Sequence, residues 1–252
     1  MHVRHTLSLV AASLLLGAHT PTLAPINIYM IGDSTMADKP DPAHNPERGW
    51  GQALPEFVDD DTHVHNYAVN GRSTKSFIDE GRWETVRSQL TAGDIVLIQF
   101  GHNDEKREDS LRFAAPRTAY RANLERFVRE TRERGATPIV FTPIVRRQFG
   151  ANGALQNTHG EYPDVVRDLA RTSRVALVDL NVLTQMLVQQ RGVEGSKQLY
   201  VWTVTDQFPA FPIARQDNTH LTPLGASAVA RLAAHALKAM EGPLAAHIVG
   251  TP

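Results

Sequence analysis

Short apolar and β-branched runs alternate along the chain with stretches whose apolar residues recur at helical spacing. This alternation predicts a parallel α/β sheet. Five runs read as strands: Asn27–Ile31, His63–Ala68, Asp94–Phe100, Pro138–Thr142 and Val175–Leu180. The clearest is Asp94–Phe100, whose continuously apolar centre is that of a strand buried on both faces. Helices are predicted near Gly51–Val58, Trp83–Leu90, Pro116–Arg134, Tyr162–Thr172, Asn181–Gln190 and Pro223–Met240. Pro116 suits the first turn of its helix and Gly135 the position just past the end. Thr222 is placed to cap the last helix, with Pro223 as its first residue.

No repeat, low-complexity tract or linker divides the pattern, which predicts a single domain over 25–252. The Pro-rich pieces Lys39–Pro46 and Phe208–Pro212 read as parts of long loops, and long loops in a compact domain are more often functional than idle. The tail after Gly242 has no strong pattern and is expected to be poorly ordered. At the other end, residues 1–24 read as a secretory signal region. Arg4 precedes the apolar run Leu7–Leu16, and the small residues Gly17 and Ala18 follow it. Cleavage after Ala18 is preferred to cleavage after Ala24, which would leave the first strand almost no lead-in. The run is short for a membrane anchor. The expectation is a secreted or periplasmic protein with no membrane partner once the signal is removed.

Composition changes this picture only by exclusion. The 252 residues are 42% hydrophobic and 21% charged, ordinary for a soluble globular protein. A net charge of -1 gives no reason to expect nucleic acid or a membrane surface as partner. With no cysteine, thiol catalysis and cysteine metal sites are excluded, and the core alone must hold the fold. His63 and His65 share one face of a strand, but no third ligand is in view for a metal.

The candidate chemistry begins at Gly32-Asp33-Ser34, a sharp exit from the first strand with a hydroxyl at its tip. A serine becomes a nucleophile only with a base to take its proton and donors to receive the developing oxyanion. Asn70-Gly71-Arg72-Ser73 follows the second strand, with Gly71 permitting an outward-pointing N–H, and Gly101-His102-Asn103-Asp104 follows the third. Asp217-Asn218-Thr219-His220 precedes the last helix, in what reads as a turn. Open parallel sheets place sites outside the carboxyl ends of strands at a topological switch point. In the flavodoxin-like order 2-1-3-4-5, Ser34 and Asn103 are neighbours across that point. Asp217, three residues before His220, is close enough to orient its imidazole, which gives a Ser34–His220–Asp217 triad. The N–H groups of Ser34 and Gly71 and the Asn103 amide are the candidate oxyanion donors. Taken singly, each residue has a plainer role as a cap or turn residue; the four blocks together carry the assignment. Asp33 is expected to bond the backbone beneath the serine turn, and His102 to act as a loop hydrogen-bonding residue.

These blocks resemble the SGNH, or GDSL, hydrolases, whose four named residues match Ser34, Gly71, Asn103 and His220 in order. The Gly-Asp-Ser-Thr variant is similar to the rhamnogalacturonan acetylesterase branch, as are Arg48–Gln52, Gly71–Phe77, Gly101–Asp104 and Asn157–Pro163. The resemblance implies a three-layer α/β/α sandwich with a five-stranded parallel sheet, and an esterase removing O-acetyl groups from pectic polysaccharide without metal or cofactor. An acetylated plant cell-wall polysaccharide or oligosaccharide is then the expected partner. His159 and Tyr162 lie in a block shared with that branch and are candidates to line the substrate groove, as is Arg72 for galacturonate carboxylates. Acetylated xylan, small acyl esters, or a non-catalytic carbohydrate-binding role on the same scaffold are the alternatives. An ordinary α/β-hydrolase is disfavoured, because Gly-x-Ser-x-Gly is absent around Ser34.

Overall fold

A computed structural model describes residues 24–209 and 211–250. The expected signal region therefore lies outside the described residues, apart from Ala24. Among the described residues, no helix is long and apolar enough to cross a membrane.

The described residues form seven strands: β1 (Ile26–Gly32), β2 (Thr62–Asn66), β3 (Ile95–Gln99), β4 (Thr137–Phe141), β5 (Ala176–Val178), β6 (Tyr200–Thr203) and β7 (Arg215–Leu221). The helices are α1 (Trp50–Ala53), α2 (Thr74–Asp79), α3 (Arg82–Arg87), α4 (Arg121–Glu133), α5 (Tyr162–Ser173), α6 (Leu180–Gly195), α7 (Pro223–Lys238) and α8 (Pro243–His247). The first five strands make one parallel sheet, as the alternating pattern implied, in the flavodoxin-like order β2-β1-β3-β4-β5.

Strand periodicity divides the core into two layers. Ile28 and Met30 of β1, Leu97 of β3 and Phe141 of β4 face one side, where Trp50, Leu180, Val188 and the alanine-rich face of α7 cover them. Tyr29 and Ile31, Val96 and Ile98, and Val140 face the other, against Phe77, Trp83, Leu124, Phe127, Val165 and Leu169. Helices on both faces explain why β3 reads as an unbroken apolar run. The result is the three-layer α/β/α arrangement.

Several expectations are corrected. The segment after Gly242 is ordered: α8 forms, Leu244 and Ile248 are buried, and Ile248 bridges back to Val58. Apolar burial there outweighs the absence of a periodic signal. The predicted strand at Val175–Leu180 shortens to β5 because the Asp179 side chain accepts the Val182 N–H and starts α6. Helix α2, too short to show a period, is nucleated by a reciprocal capping box between Ser73 and Ser76. Most consequential is the antiparallel β6–β7 hairpin outside the main sheet. Tyr200 pairs with Leu221 and Trp202 with Gln216, so two steps along β6 match five along β7 and three residues of β7 loop out. Asp217 to His220 sit in this bulged strand rather than in a free turn.

The join between β7 and α7 is tight. Thr222 accepts the Gly225 N–H at 3.1 Å, and a Cβ on Gly225 would lie 1.9 Å from the Leu199 carbonyl oxygen. Gly225→Ala is expected to cost about 3 kcal/mol, as overpacking against backbone does. A melting curve should show Tm lowered by roughly 6–12 °C for a chain of this size.

Candidate active site

The site is built at the carboxyl ends of β1, β2 and β3, where the connection from β1 runs toward β2 and that from β3 runs the other way, toward β4. After β1 the chain turns over Asp33, whose carbonyl accepts the N–H groups of Met36 and Ala37 at 3.2 and 3.0 Å. Asp33 is fully buried, and its Oδ1 accepts the Thr35 N–H at 2.9 Å and the Thr35 hydroxyl at 2.8 Å. Burial alone would raise its pKa. The neighbouring His102 and the Thr35 donors outweigh that and hold it at about 2. This fixes Ser34, 8% exposed, at the floor of a cleft of about 540 Å³.

His220 reaches Ser34 from the bulge of β7. Its Nε2 lies 2.9 Å from Ser34 Oγ, and its Nδ1 lies 2.7 Å from Asp217 Oδ2. Oδ1 of the same carboxylate accepts the backbone N–H groups of Thr219 and His220 at 2.7 and 2.9 Å. Although burial opposes it, these donors and the imidazole hold the Asp217 carboxyl far below the ordinary carboxylate range. Asp217 is thus ionised, and the imidazole is presented with Nδ1–H toward it and Nε2 free to accept the serine proton.

Opposite the serine, Gly71 has φ 76°, the left-handed region that glycine adopts without steric cost. Among the described residues, the backbone N–H groups of Ser34 and Gly71 have no partner within the chain. Asn103 is buried, and one Nδ2 hydrogen bonds the Arg72 carbonyl at 3.1 Å. That bond fixes the amide plane and leaves its second hydrogen for the cleft. The structure therefore brings Ser34, Gly71, Asn103, Asp217 and His220 together around one cavity.

The three residues expected to touch substrate are placed differently. Tyr162 is buried, its hydroxyl 2.9 Å from the Asp104 and Ala114 carbonyl oxygens, so it offers the groove nothing. His159 is also buried, between Glu105 at 2.9 Å and the Ile144 carbonyl at 2.8 Å, and it borders a second cavity of about 420 Å³. Arg72 turns its guanidinium to Glu80 and the Asn70 carbonyl. Within the shared block Asn157–Pro163, Tyr162 and Pro163 are thus packed in the core, while Asn157, Thr158 and His159 border the second cavity. The polar walls come instead from Glu47, Asn70, Lys106, Arg146 and Thr219. Behind them, burial pushes the Asp104 carboxyl up to about 8 despite two bonds donated by Thr74, and burial brings His102 down to about 4. His102 is thus neutral at neutral pH and is not a second charged group at the site.

The sequence pattern of the GDSL-like lipase/acylhydrolase family matches residues 30–228. Rhamnogalacturonan acetylesterase RhgT of Bacillus subtilis is 39% identical over 225 residues, covering 89% of this chain and 95% of that protein. The probable rhamnogalacturonan acetylesterase YesY of the same organism is 30% identical over 223 residues, covering 88% and 97%. The crystal structure of Bacillus subtilis YxiM superposes with a TM-score of 0.71 at 28% identity, over 86% of this chain and 57% of that one.

Proposed function

The chain belongs to the GDSL-like lipase/acylhydrolase family, and from that premise we propose that it is a serine esterase removing O-acetyl groups from rhamnogalacturonan. The observation that carries the catalytic reading is the unbroken line Ser34 Oγ–His220–Asp217, with links of 2.9 and 2.7 Å. The substrate follows from the likeness to RhgT and from a cleft walled by charged and amide side chains, which suits a hydroxyl-rich glycan better than a fatty acyl chain. The signal pattern read over residues 1–24 supports export of such an enzyme to where its polymer lies.

The reaction is a two-step acyl transfer. His220 Nε2 takes the Ser34 proton as Oγ attacks the acetyl carbonyl carbon, and Asp217 stabilises the imidazolium. The carbonyl oxygen, now negative, receives the N–H groups of Ser34 and Gly71 and the free hydrogen of the Asn103 amide. Collapse breaks the bond to the sugar oxygen, which leaves with the proton from His220. Water, deprotonated by the same nitrogen, then attacks acetyl-Ser34, and acetate departs as Ser34 recovers its proton.

Asn103→Ala removes one oxyanion donor, and kcat is expected to fall about 10²–10³-fold with KM little changed. Steady-state kinetics on an aryl acetate checks this. The substrate is tested by acetate release from acetylated rhamnogalacturonan, acetylated xylan and an aryl acetate. Preference for rhamnogalacturonan supports the proposal. Hydrolysis of the other two without it keeps the esterase and rejects the pectic substrate.

A further inference from the structure

The oxyanion donors and the triad do not account for three charged side chains that reach the same site, Lys39 and Glu47 from the loop before α1 and Arg215 from the start of β7. Lys39 is nearly enclosed, its side chain 2% exposed. Its ammonium donates to the Ser34 carbonyl at 2.8 Å and to Asn70 Oδ1 at 2.5 Å, and lies 3.6 Å from Glu47 Oε2. Glu47 Oε1 accepts from Arg215 at 2.7 Å, and the other arm of that guanidinium donates to Asp217 Oδ2 at 3.0 Å. Asp217 Oδ2 also takes His220 Nδ1, and His220 returns to Ser34. The contacts close on themselves: Ser34, Lys39, Glu47, Arg215, Asp217, His220 and Ser34 again.

We propose that Lys39, Glu47 and Arg215 are positioning residues that lock nucleophile, oxyanion turn and triad acid into one frame and set the charge beside the imidazole. This rests on the esterase reading above. Exposed ion pairs contribute little, and a buried pair serves stability no better than apolar residues of the same volume. Enclosing Lys39 is therefore costly unless its geometry is needed. Its partners are the nucleophile's own carbonyl and the residue before Gly71, which ties the two halves of the oxyanion site together. Glu47, Asp217 and His220 present ligand atoms within 4.8 Å of one another, a spacing that would also suit a cation. The Arg215 guanidinium, bonded to both carboxylates, supplies positive charge there. Burial lowers the Lys39 pKa, and Glu47, Asp33 and Asp217 oppose that change and favour the ammonium.

The charge effect has a sign that a purely structural role lacks. The charged groups around the imidazole are Asp217 and Arg215 on β7, Glu47 and Lys39 before α1, Asp33 below, and Lys106 and Arg146 on the cleft wall. Glu47→Gln removes a negative charge and disfavours the imidazolium, so the acidic limb of kcat/KM moves to lower pH. Arg215→Met removes a positive charge and moves it to higher pH. Each displacement is expected to be about half a pH unit or more, as for charges ~4–6 Å apart. Arg215→Lys keeps the charge but loses the fork, so kcat falls while the limb stays in place.

The experiment is kcat/KM against pH on a small aryl acetate for the wild type and these three variants, with a melting curve for each. Opposite displacements in Glu47→Gln and Arg215→Met, with Arg215→Lys unmoved, support the inference. An active wild type whose folded variants all keep the same limb overturns the inference alone. A wild type without esterase activity overturns the esterase reading and the inference with it. Should Glu47→Gln fail to fold, the contrast between Arg215→Met and Arg215→Lys still decides.

Discussion

Ser34→Ala is expected to abolish ester hydrolysis, lowering kcat by about 10⁵–10⁶-fold, the loss seen when the nucleophile of a serine triad is removed. Only one oxygen leaves. Among the described residues Ser34 Oγ hydrogen bonds His220 Nε2 alone, while the turn that carries it is held by Asp33 and Thr35. Fold and Tm should therefore be unchanged, and the effect is chemical. The oxyanion donors remain in the variant and account for the residual rate over water, which is commonly ~10³–10⁴-fold in such enzymes. Kinetics on an aryl acetate, with circular dichroism as the control for folding, checks this. A folded Ser34→Ala protein retaining even a hundredth of the activity would mean that another group attacks the ester.

Asp217→Asn is expected to lower kcat by about 10⁴-fold with KM little changed. The substitution conserves shape. An asparagine oxygen can still accept the Thr219 and His220 N–H groups that Oδ1 takes at 2.7 and 2.9 Å, so the bulge persists. The change falls on the other atom. An amide nitrogen facing His220 Nδ1 donates where the carboxylate accepted, which places the imidazole proton on Nε2, pointing at Ser34. The base is then presented in the wrong tautomer. The same amide would face the Arg215 guanidinium donor to donor, so Arg215 loses one of its two anchors. A pH–rate profile and kcat on the aryl acetate test this. A loss below about tenfold would show that Asp217 serves only to cap the bulge.

Much of the site was legible in the sequence because it sits at strand exits, where short blocks define both backbone and chemistry. Gly32-Asp33-Ser34 and Asn103 each follow a strand whose apolar run is strong, so their meeting followed from the strand order 2-1-3-4-5, and Gly71 joins them from the end of β2. The β6–β7 hairpin was not legible. Its residues Arg215-Gln216-Asp217-Asn218-Thr219-His220-Leu221 are almost wholly polar, since this strand is held by Arg147 and Trp202 bonding Asn218 rather than by a buried face. Period-2 reading finds strands through their apolar side and has nothing to find there. The burial of Tyr162 and His159 was not expected, for the reverse reason: a motif shared with an enzyme branch marks what the fold needs as readily as what the substrate touches. Tyr162 closes the core beneath Asp104, and His159 stacks edge-on against His102 at 4.6 Å. Lys39 opens the Pro-rich loop piece Lys39–Pro46, where nothing local signals its burial. It pairs with Glu47, and Glu47 meets Arg215, 168 residues away, only in the folded chain.

The most direct test of the central claim is the covalent intermediate. Wild-type protein mixed with an aryl acetate is quenched in acid within the first turnover, digested and mapped by mass spectrometry. The account predicts a single acetyl group on the peptide that contains Ser34, located on that residue and absent when quenching follows complete consumption of the ester. Acetylation at another side chain, or continuing hydrolysis with Ser34 never modified, would contradict it.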